Sequence, residues 1–302
     1  MPELPDVEVY IEKLRPRVVG QTLVKVRIAN PFLLRTVTPP LAECFGKKVV
    51  NLRRVGKRIV FVLEGALRMV VHLMVAGRFR WRPAGDKIPG KLGLAAFDFP
   101  TGTLLFTEAG SKRRASLHVV SGDAAVAALD PGGIEPLTAT VEQLRAVLTR
   151  ERHTLKRALT DPHLVAGIGG AYSDEIMHRA QLSPIKMSDK ITDEEWRRLH
   201  AAVSAVLVEW TERLSREVGE GFPEKVTAFR PEMAVHGKYK QPCPVCGSPV
   251  QRIVHADNET NYCAKCQTGG KLLADRALSK LLHGDWPRTL EEMEENKAQR
   301  RQ

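Results

Sequence analysis

Four cysteines stand in two Cys-x2-Cys pairs, Cys243 with Cys246 and Cys263 with Cys266, and sixteen residues separate the pairs. Each pair can supply two sulfur ligands from one tight turn, and a hairpin between the pairs can bring all four to one metal ion. The alternatives are two disulfides or four unrelated thiols, but this spacing is typical of zinc ribbons. Because zinc accepts four soft ligands, and four protein ligands leave no position for water, we expect one structural Zn2+.

The extreme N-terminus, Met1-Pro2-Glu3, could carry covalent chemistry. If Met1 is removed, Pro2 becomes a secondary amine, and because an α-amino group titrates near pH ~8 it is uncharged far more often than a lysine. Such an amine can attack an aldehydic or acetal carbon and form an iminium ion. Glu3 is then placed to protonate a leaving or ring oxygen as general acid. Many chains open in this way without any such role, so the pattern needs support from other motifs.

A glycine-rich segment, LVAGIGGAYSDE, lies at 164–175. A helical pattern runs into the glycines there, and a second helix is predicted to start near Tyr172 to Asp174. Backbone amides at a helix start can bind a phosphate, because unpaired N–H groups and the helix dipole favour an anion. The alternative is an ordinary packing joint between two helices.

Charge and composition narrow the class of protein. The chain of 302 residues has 46 basic and 35 acidic residues, a net charge of +11 and a pI near 9.6. Together with a zinc ribbon, this charge favours a nucleic-acid partner over a merely soluble basic surface. There is no run of 18 apolar residues and no signal-peptide pattern, so no membrane partner is predicted. Cys44, the remaining cysteine, is expected to be a small buried apolar group, which suits a reducing cytoplasm.

The elements that must position these residues begin with a β-rich region over 2–120. A short amphipathic helix is followed by runs of β-formers separated by Gly, Pro and Asp, which predict a β-sandwich or barrel. The runs lie at 23–29, 48–55, 58–64, 67–75, 94–99, 103–108 and 116–120. Residues 121–137 hold two prolines and three glycines and are predicted to be a linker.

Beyond this linker the pattern is helical over 138–235. Thr140 with Gln143, and Thr192 with Glu195, have the capping-box form in which each side chain binds an amide at the helix start. The second box opens a long amphipathic helix whose apolar stripe we assign to the core. The stripe consists of Trp196, Leu199, Val203, Leu207, Trp210 and Leu214. The zinc ribbon is placed at 236–283, and the charged tail at 284–302 is predicted to be disordered.

In this order, the motifs resemble the formamidopyrimidine-DNA glycosylase / endonuclease VIII family from residue 2 to about 283. The resemblance rests on MPELPDVE at 1–8, VGKRIV at 55–60, HLMVAG at 72–77, the glycine-rich segment and the terminal zinc ribbon. It implies an α+β fold with an N-terminal β-sandwich carrying a leading helix, a helix–two-turns–helix domain and a zinc-ribbon hairpin. It also implies a monomeric, divergent bacterial-type member that acts on damaged double-stranded DNA in the cytoplasm, at the nucleoid.

The function that the resemblance implies is base-excision repair by a glycosylase with AP lyase activity. The enzyme would flip an oxidised nucleoside out of the duplex. Pro2 would attack C1′ and expel the base, Glu3 would protonate the ring oxygen, and β-elimination of the Schiff base would cut the strand. Lys57, matching the family's strand lysine, would hold a phosphate near the lesion; the alternative is a solvated strand residue. Arg152 and Lys156, before the helix pair, would contact phosphates.

Two positions depart from the family pattern where phosphates are bound. Asn258 stands at the hairpin tip in place of an arginine that contacts phosphates and is linked to δ-elimination. The amide keeps hydrogen bonding but loses the charge. Gly170 replaces a phosphate-binding asparagine, so that only its backbone amide can contact DNA.

The residues expected to fill the gap left by a flipped base also differ. Val75 stands at the position of an inserted methionine, with Met74 beside it, and in EAGSKRRASL at 108–117 either Arg113 or Arg114 could serve as a wedge. We therefore expect a glycosylase and lyase with an altered lesion range. The alternative is a non-catalytic lesion- or junction-binding protein on the same scaffold; a zinc-ribbon transcription or translation factor would leave the N-terminal motif unexplained.

Overall fold

The structure is a computed structural model that describes residues 1–110, 112–255, 258–273 and 287–299. It divides into two compact units. The first comprises Met1–Gly133 with Val208–Thr227, and the second comprises Ile134–Leu207 with Ala228–Gln302. Among the described helices, none is both long enough and apolar enough to cross a membrane.

The first unit is a β-sandwich with a leading helix, as predicted. Helix α1 spans Leu4–Val18, and two four-stranded antiparallel sheets follow, with strand orders β1-β6-β7-β5 and β2-β3-β4-β8. The strands are β1 Lys25–Ile28, β2 Val49–Val55, β3 Arg58–Leu63, β4 Leu67–His72, β5 Gly77–Arg82, β6 Gly93–Phe99, β7 Gly102–Glu108 and β8 Ser116–Ser121. Short 3-10 helices span Pro31–Leu33 and Leu41–Cys44.

The core of this unit lies between the two sheets and α1. Phe61 of one sheet stacks on Phe97 of the other with ring centroids 6.0 Å apart, and Tyr10 of α1 meets Phe79 edge-on at 5.7 Å. Cys44 is fully buried in the same core, in agreement with the apolar role expected of it. Burial raises the pKa of its thiol to about 11, so this cysteine stays protonated at neutral pH.

The segment at 121–137, expected as a linker, contains helix α2 over Gly122–Ala127. Its Val126 is buried against Val60 and Val70, on the face of the sheet opposite the main core. The composition suggested a linker because small residues dominate, but small residues also allow a helix to lie close against a sheet. The boundary between the two units falls after Gly133.

The second unit is helical at its start and contains the zinc-ribbon hairpin, again as predicted. Its helices are α3 Val141–Leu148, α4 Leu155–Thr160, α5 Gly170–Arg179 and α6 Asp193–Val218, the last continuing into the first unit, with a 3-10 turn at Ser188–Lys190. Both predicted capping boxes are present: Gln143 N donates to Thr140 Oγ1 (3.2 Å), and Thr192 N donates to Glu195 Oε2 (2.9 Å). The predicted stripe of α6 is buried throughout.

The C-terminal part of this unit consists of strands β9 Val250–His255 and β10 Asn258–Cys263, paired antiparallel, followed by α7 Ala264–Thr268. In the tail expected to be disordered, residues 290–299 form helix α8, Leu290–Gln299. Backbone hydrogen bonds from Leu290 N to Gly270 O (3.1 Å) and from Leu272 N to Arg288 O (2.9 Å) connect this helix to the end of the ribbon. The expected tail residues 284–286 and 300–302 lie outside the described residues.

Candidate functional site

The N-terminal residues are folded into the first unit. Pro2 is buried, and Glu3 is only 3% exposed although it carries a carboxylate. Glu3 is the N-cap of α1, and its backbone N–H donates to Asp6 Oδ2 at 2.9 Å. Pro5 in the first turn of the helix costs no hydrogen bond there, because the first amides of a helix have no partner within it. The local sequence therefore holds Pro2 and Glu3 in one conformation beside the Met1 amino group.

The amino group at the chain start lies in a site that disfavours its charged form. Burial lowers the pKa of the Met1 amino group most, and Arg78 and Lys57 lower it further, whereas Glu3 and Asp6 act in the opposite direction. A lower pKa leaves more of an amine uncharged, and therefore nucleophilic, at neutral pH. The structure brings Glu3 and Lys57 into electrostatic range of the chain start, as the sequence motifs imply.

Lys57 does not lie in a strand, and that part of the prediction was wrong. Gly56 and Lys57 form the turn between β2 and β3, where Gly56 has a φ of +56° that suits glycine. The β-runs predicted at 48–55 and 58–64 leave these two residues between them, and only the resemblance placed Lys57 in a strand. Lys57 still acts on the chain start from this turn, because its charge is among those that lower the pKa of the Met1 amino group.

Sequence reasoning missed a cluster of cationic and imidazole side chains, Arg58, His72 and His118, that we call the cationic face. Arg58 on β3 is directly opposite His72 on β4, and His118 lies on the neighbouring strand β8. Their chain neighbours Ile59, Val71 and Leu117 belong to the main core, so these three side chains point to the other face of the sheet. The available signal was one histidine inside each of two apolar strand patterns, LRMVVHLMV and SLHVV, and an arginine at the start of a third, RIVFVLE.

The electrostatics of the cationic face are dominated by burial and by the charge of Arg58. Burial, Arg58, Lys57 and His118 lower the pKa of His72 to about 4, and burial followed by Arg58 and Arg35 lowers that of His118. Burial also lowers the pKa of Arg58 itself, and the Asp130 carboxylate acts in the opposite direction. In the part of the chain that the structure describes, no carboxylate is hydrogen-bonded to Arg58, and His72 Nε2 is buried without a partner. Such a face favours an anion from solution.

The turn between β4 and β5 exposes the residue expected at the methionine position. Met74 has a φ of +54°, and Gly77 has no room for a side chain, because a Cβ there would lie 2.1 Å from Leu73 O. Val75 is consequently 61% exposed. The tight turn therefore presents Val75 to solvent, as an inserting side chain requires.

The loop after β7 carries the two candidate wedge residues. The buried carboxylate of Glu108 accepts hydrogen bonds from the backbone amides of Arg114 (3.0 Å) and Ala115 (3.2 Å), which fixes the end of the loop. Arg113 and Arg114 are both exposed, and a guanidinium N–H of Arg113 donates to the carbonyl of Lys91. Which of the two arginines fills a gap in DNA stays a prediction.

In the second unit, helix α5 begins at Gly170, two residues earlier than predicted, with Gly169 as its N-cap. The ammonium of Lys156 donates to Gly170 O (2.7 Å), Ser173 Oγ (2.8 Å) and Asp174 Oδ1 (2.6 Å). An ammonium has three donors, so all of them are used within the protein. Lys156 thus stabilises the helix start in this arrangement, and a direct phosphate contact would require these bonds to break.

The remaining predicted DNA contacts are on the surface. Arg152 has 71% of its side chain exposed, with Nε 3.5 Å from an Asp189 carboxylate oxygen, so its guanidinium stays accessible. Asn258 is exposed as the first residue of β10, next to the hairpin tip, whose residues 256–257 lie outside the described part. Both side chains are therefore accessible from solvent.

The four predicted metal ligands meet at one point. The sulfur atoms of Cys243, Cys246, Cys263 and Cys266 all lie within 4.8 Å of one another. Cys246 Sγ and Cys263 Sγ are 3.4 Å apart, and Cys243 Sγ and Cys266 Sγ are 3.9 Å apart. Zn–S bonds of ~2.3 Å in a tetrahedron place sulfur atoms about 3.8 Å apart, so the donor set fits one Zn2+. The ion holds the two knuckles together when bound, and no ligand position is left for catalysis.

Comparisons with known proteins cover most of the chain. Residues 1–114 match the formamidopyrimidine-DNA glycosylase N-terminal domain, 133–217 match the H2TH domain of the same enzyme, and 240–269 match a zinc finger found in FPG and IleRS. The last match and the cysteine cluster together establish a structural zinc site.

Whole relatives agree with these domain matches. Formamidopyrimidine-DNA glycosylase of Thermus thermophilus is 36% identical over 281 residues, covering 89% of this chain and 100% of the relative. The crystal structure of the MutM (FPG) protein from the same organism superposes with a TM-score of 0.75 at 34% identity, covering 88% and 98% of the two chains. A Lactococcus lactis FPG mutant bound to Fapy-dG DNA gives 0.77 at 25% identity, covering 88% and 100%. The chain belongs to the formamidopyrimidine-DNA glycosylase family.

Proposed function

We propose that this protein is a base-excision-repair DNA glycosylase that removes oxidised bases and cuts the strand through a Schiff base on Pro2. The observation that carries the proposal is the surrounding of the chain start, where burial, Arg78 and Lys57 lower the pKa of the Met1 amino group against Glu3 and Asp6, and where Pro2 and Glu3 are buried. Family membership supports the same chemistry, since the family's named relatives are DNA glycosylases.

The proposed reaction uses Pro2 after removal of Met1. The lone pair of the Pro2 nitrogen forms a bond to C1′ of a flipped nucleoside, and the bond from C1′ to the base breaks as the base takes up a proton. Glu3 protonates the deoxyribose ring oxygen, which opens the sugar and leaves a cationic Schiff base. Loss of a proton from C2′ then expels the 3′ phosphate, which is β-elimination. In the proposed reaction, Lys57 holds a nearby phosphate and carries protons.

The cationic face supplies the proposed grip on DNA phosphates in the first unit. Arg58 and the imidazoles of His72 and His118 offer N–H donors on a surface to which no carboxylate is hydrogen-bonded among the described residues. In the second unit the backbone amides at the start of α5, including that of Gly170, and the exposed Arg152 are the proposed contacts.

We propose a substrate range from the damaged DNA that solved relatives hold. Solved relatives hold DNA with Fapy-dG or carbocyclic 8-oxo-G, and oxidised purines in duplex DNA are therefore the first substrates to test. The uncharged Asn258 leads us to expect slow δ-elimination, because the neighbouring phosphate gains no cationic partner there. We further propose that the enzyme acts as a monomer at the nucleoid.

The direct test is base release from duplexes that each carry one oxidised base. We expect free base from at least one oxidised purine and a strand cut that ends in a β-elimination product. The matched control is an undamaged duplex of the same sequence, which should stay intact. No base release from any oxidised purine or pyrimidine, with protein of confirmed N-terminal mass, would contradict the proposal.

The second candidate function is lesion recognition without turnover. Two observations favour it. Asn258 stands where the family pattern has an arginine near the ribbon tip, and the Lys156 ammonium donates its hydrogen bonds to groups of the protein itself. A duplex-binding measurement separates the two functions. Tight and lesion-selective binding with no covalent or cleaved product would support this second candidate and contradict the first.

A further inference from the structure

A histidine of helix α5 contacts a metal ligand. His178 is 6% exposed, and its Nε2 lies 3.3 Å from Cys243 Sγ. The distance is that of a hydrogen bond to sulfur. His178 is not one of the four ligands, and the metal is complete without it.

We propose that His178 donates a hydrogen bond from Nε2 to the Cys243 thiolate and thereby retains the zinc ion and joins the metal centre to α5. The direction of this bond follows from chemistry: a zinc-bound thiolate carries no proton, so the hydrogen must be on the imidazole nitrogen. This fixes the Nε2–H tautomer of a neutral ring. This hydrogen bond is independent of the proposed repair activity.

Other groups of α5 show that the helix is the support on which the ribbon is built. Asp174 Oδ2 accepts the backbone amide of Asn261 on β10 at 3.1 Å. The Glu175 carboxylate accepts three amides of the chain entering the ribbon, those of Ala234 (2.8 Å), Val235 (2.9 Å) and His236 (2.9 Å).

The spacing of Asp174 and His178 along α5 explains why both contact the zinc ribbon. Asp174 and His178 are four residues apart and therefore lie on one face of α5. The first binds the second strand of the hairpin, and the other binds the first knuckle. Since Asp174 also accepts the Lys156 ammonium at the helix start, a single short helix links the proposed phosphate site to the zinc ligands.

A hydrogen bond to a thiolate changes what the sulfur can do. It withdraws charge from the sulfur, so that attack by a proton or an oxidant is slower, and it holds the side chain in the position that the metal requires. Loss of such a supporting bond typically weakens metal binding about 10–100-fold. We therefore expect His178→Phe, which keeps a ring but has no donor, to lose zinc more easily.

The test is zinc transfer from the purified holo-protein to a chromogenic chelator. We expect His178→Phe to release zinc at least about 10-fold faster than the unmodified chain. His178→Gln, whose side-chain amide nitrogen can take the place of Nε2, should stay within a few-fold of it. His178→Asn, which is too short to reach the sulfur, should behave like His178→Phe. The matched control is His200→Phe, because His200 Nε2 binds the carbonyl of Ala139 (2.7 Å) and no thiolate.

A spectroscopic measurement separates hydrogen bonding from packing. In Co2+-substituted protein, the thiolate-to-metal charge-transfer band should move to lower energy in His178→Phe and stay in place in His178→Gln and His200→Phe. Equal zinc release by His178→Phe and the unmodified chain would overturn the proposal. So would equally fast release by His178→Gln and His178→Phe, or an unmoved band in His178→Phe, because each would show that the donor is irrelevant.

Discussion

Arg58 and His72 stand directly opposite each other on strands β3 and β4, and the guanidinium is among the groups that lower the pKa of the imidazole to about 4. Neighbouring strands hold side chains at directly opposed positions about 5 Å apart, so the two groups act on each other through little solvent. A half-buried pair of this kind is unfavourable for folding and favourable for binding an anion. This pair, and other contacts within each unit, have measurable effects on stability, DNA binding and metal binding.

The first concerns stability in acid. The pKa of His72 is about 4 in the folded chain and 6.5 when unperturbed, so as pH falls from about 6.5 to about 4 the unfolded chain takes up a proton that the folded chain does not. Stability is therefore lost over that window, by up to about 3 kcal/mol from this group. Urea unfolding at several pH values should show a flatter pH dependence in His72→Phe. An unchanged slope would contradict the depressed pKa.

The second concerns the salt dependence of DNA binding. Arg58→Gln should weaken binding and reduce the slope of log K against log salt by about 1, because one phosphate contact is lost. Arg53→Gln is the control: Arg53 lies on the adjacent strand β2, but its guanidinium already pairs with Asp123 at 2.8 Å. Equal slopes for Arg58→Gln and the unmodified chain would remove Arg58 from the DNA interface.

The third concerns Lys156. Asp174 is fully buried, so Lys156→Met should cost about 3 kcal/mol of stability by leaving that carboxylate short of a cation. Arg152→Gln, at an exposed position, should change stability by less than about 0.5 kcal/mol. Denaturant unfolding decides between two roles for Lys156. Unchanged stability with weakened DNA binding would show that it is primarily a phosphate contact, as the sequence implied.

The fourth concerns metal removal. Chelation of zinc, or Cys263→Ser, should unfold the hairpin and abolish DNA binding while the β-sandwich keeps its amide protection. The measurement is hydrogen exchange of the metal-free protein beside a DNA-binding titration. Unchanged affinity after metal loss would mean that the ribbon does not hold DNA.

Features set by residues close in sequence could be predicted, whereas long-range ones could not. The zinc cluster and both capping boxes were predictable because the spacing of their residues itself carries the geometry. Strand β5 was missed because arginines alternate with its aromatic residues, so that hydrophobicity is low although Phe79 is buried.

Other features depend on contacts that no local pattern records. The Lys156 ammonium is hydrogen-bonded to Asp174, which is eighteen residues later in the chain. The cationic face forms only because strands β3, β4 and β8 pair in the observed register. Helix α8 forms in a polar segment because the end of the ribbon provides hydrogen-bond partners.

The central claim is that the Pro2 amine is the nucleophile, and borohydride trapping tests it most directly. The protein, with Met1 removal confirmed by mass, is mixed with duplex DNA containing one abasic site and reduced. We expect a covalent protein–DNA adduct whose cross-linked peptide begins at Pro2, and no adduct from Pro2→Gly that still binds the same duplex. An adduct on a lysine, or DNA binding with no adduct at all, would contradict the account.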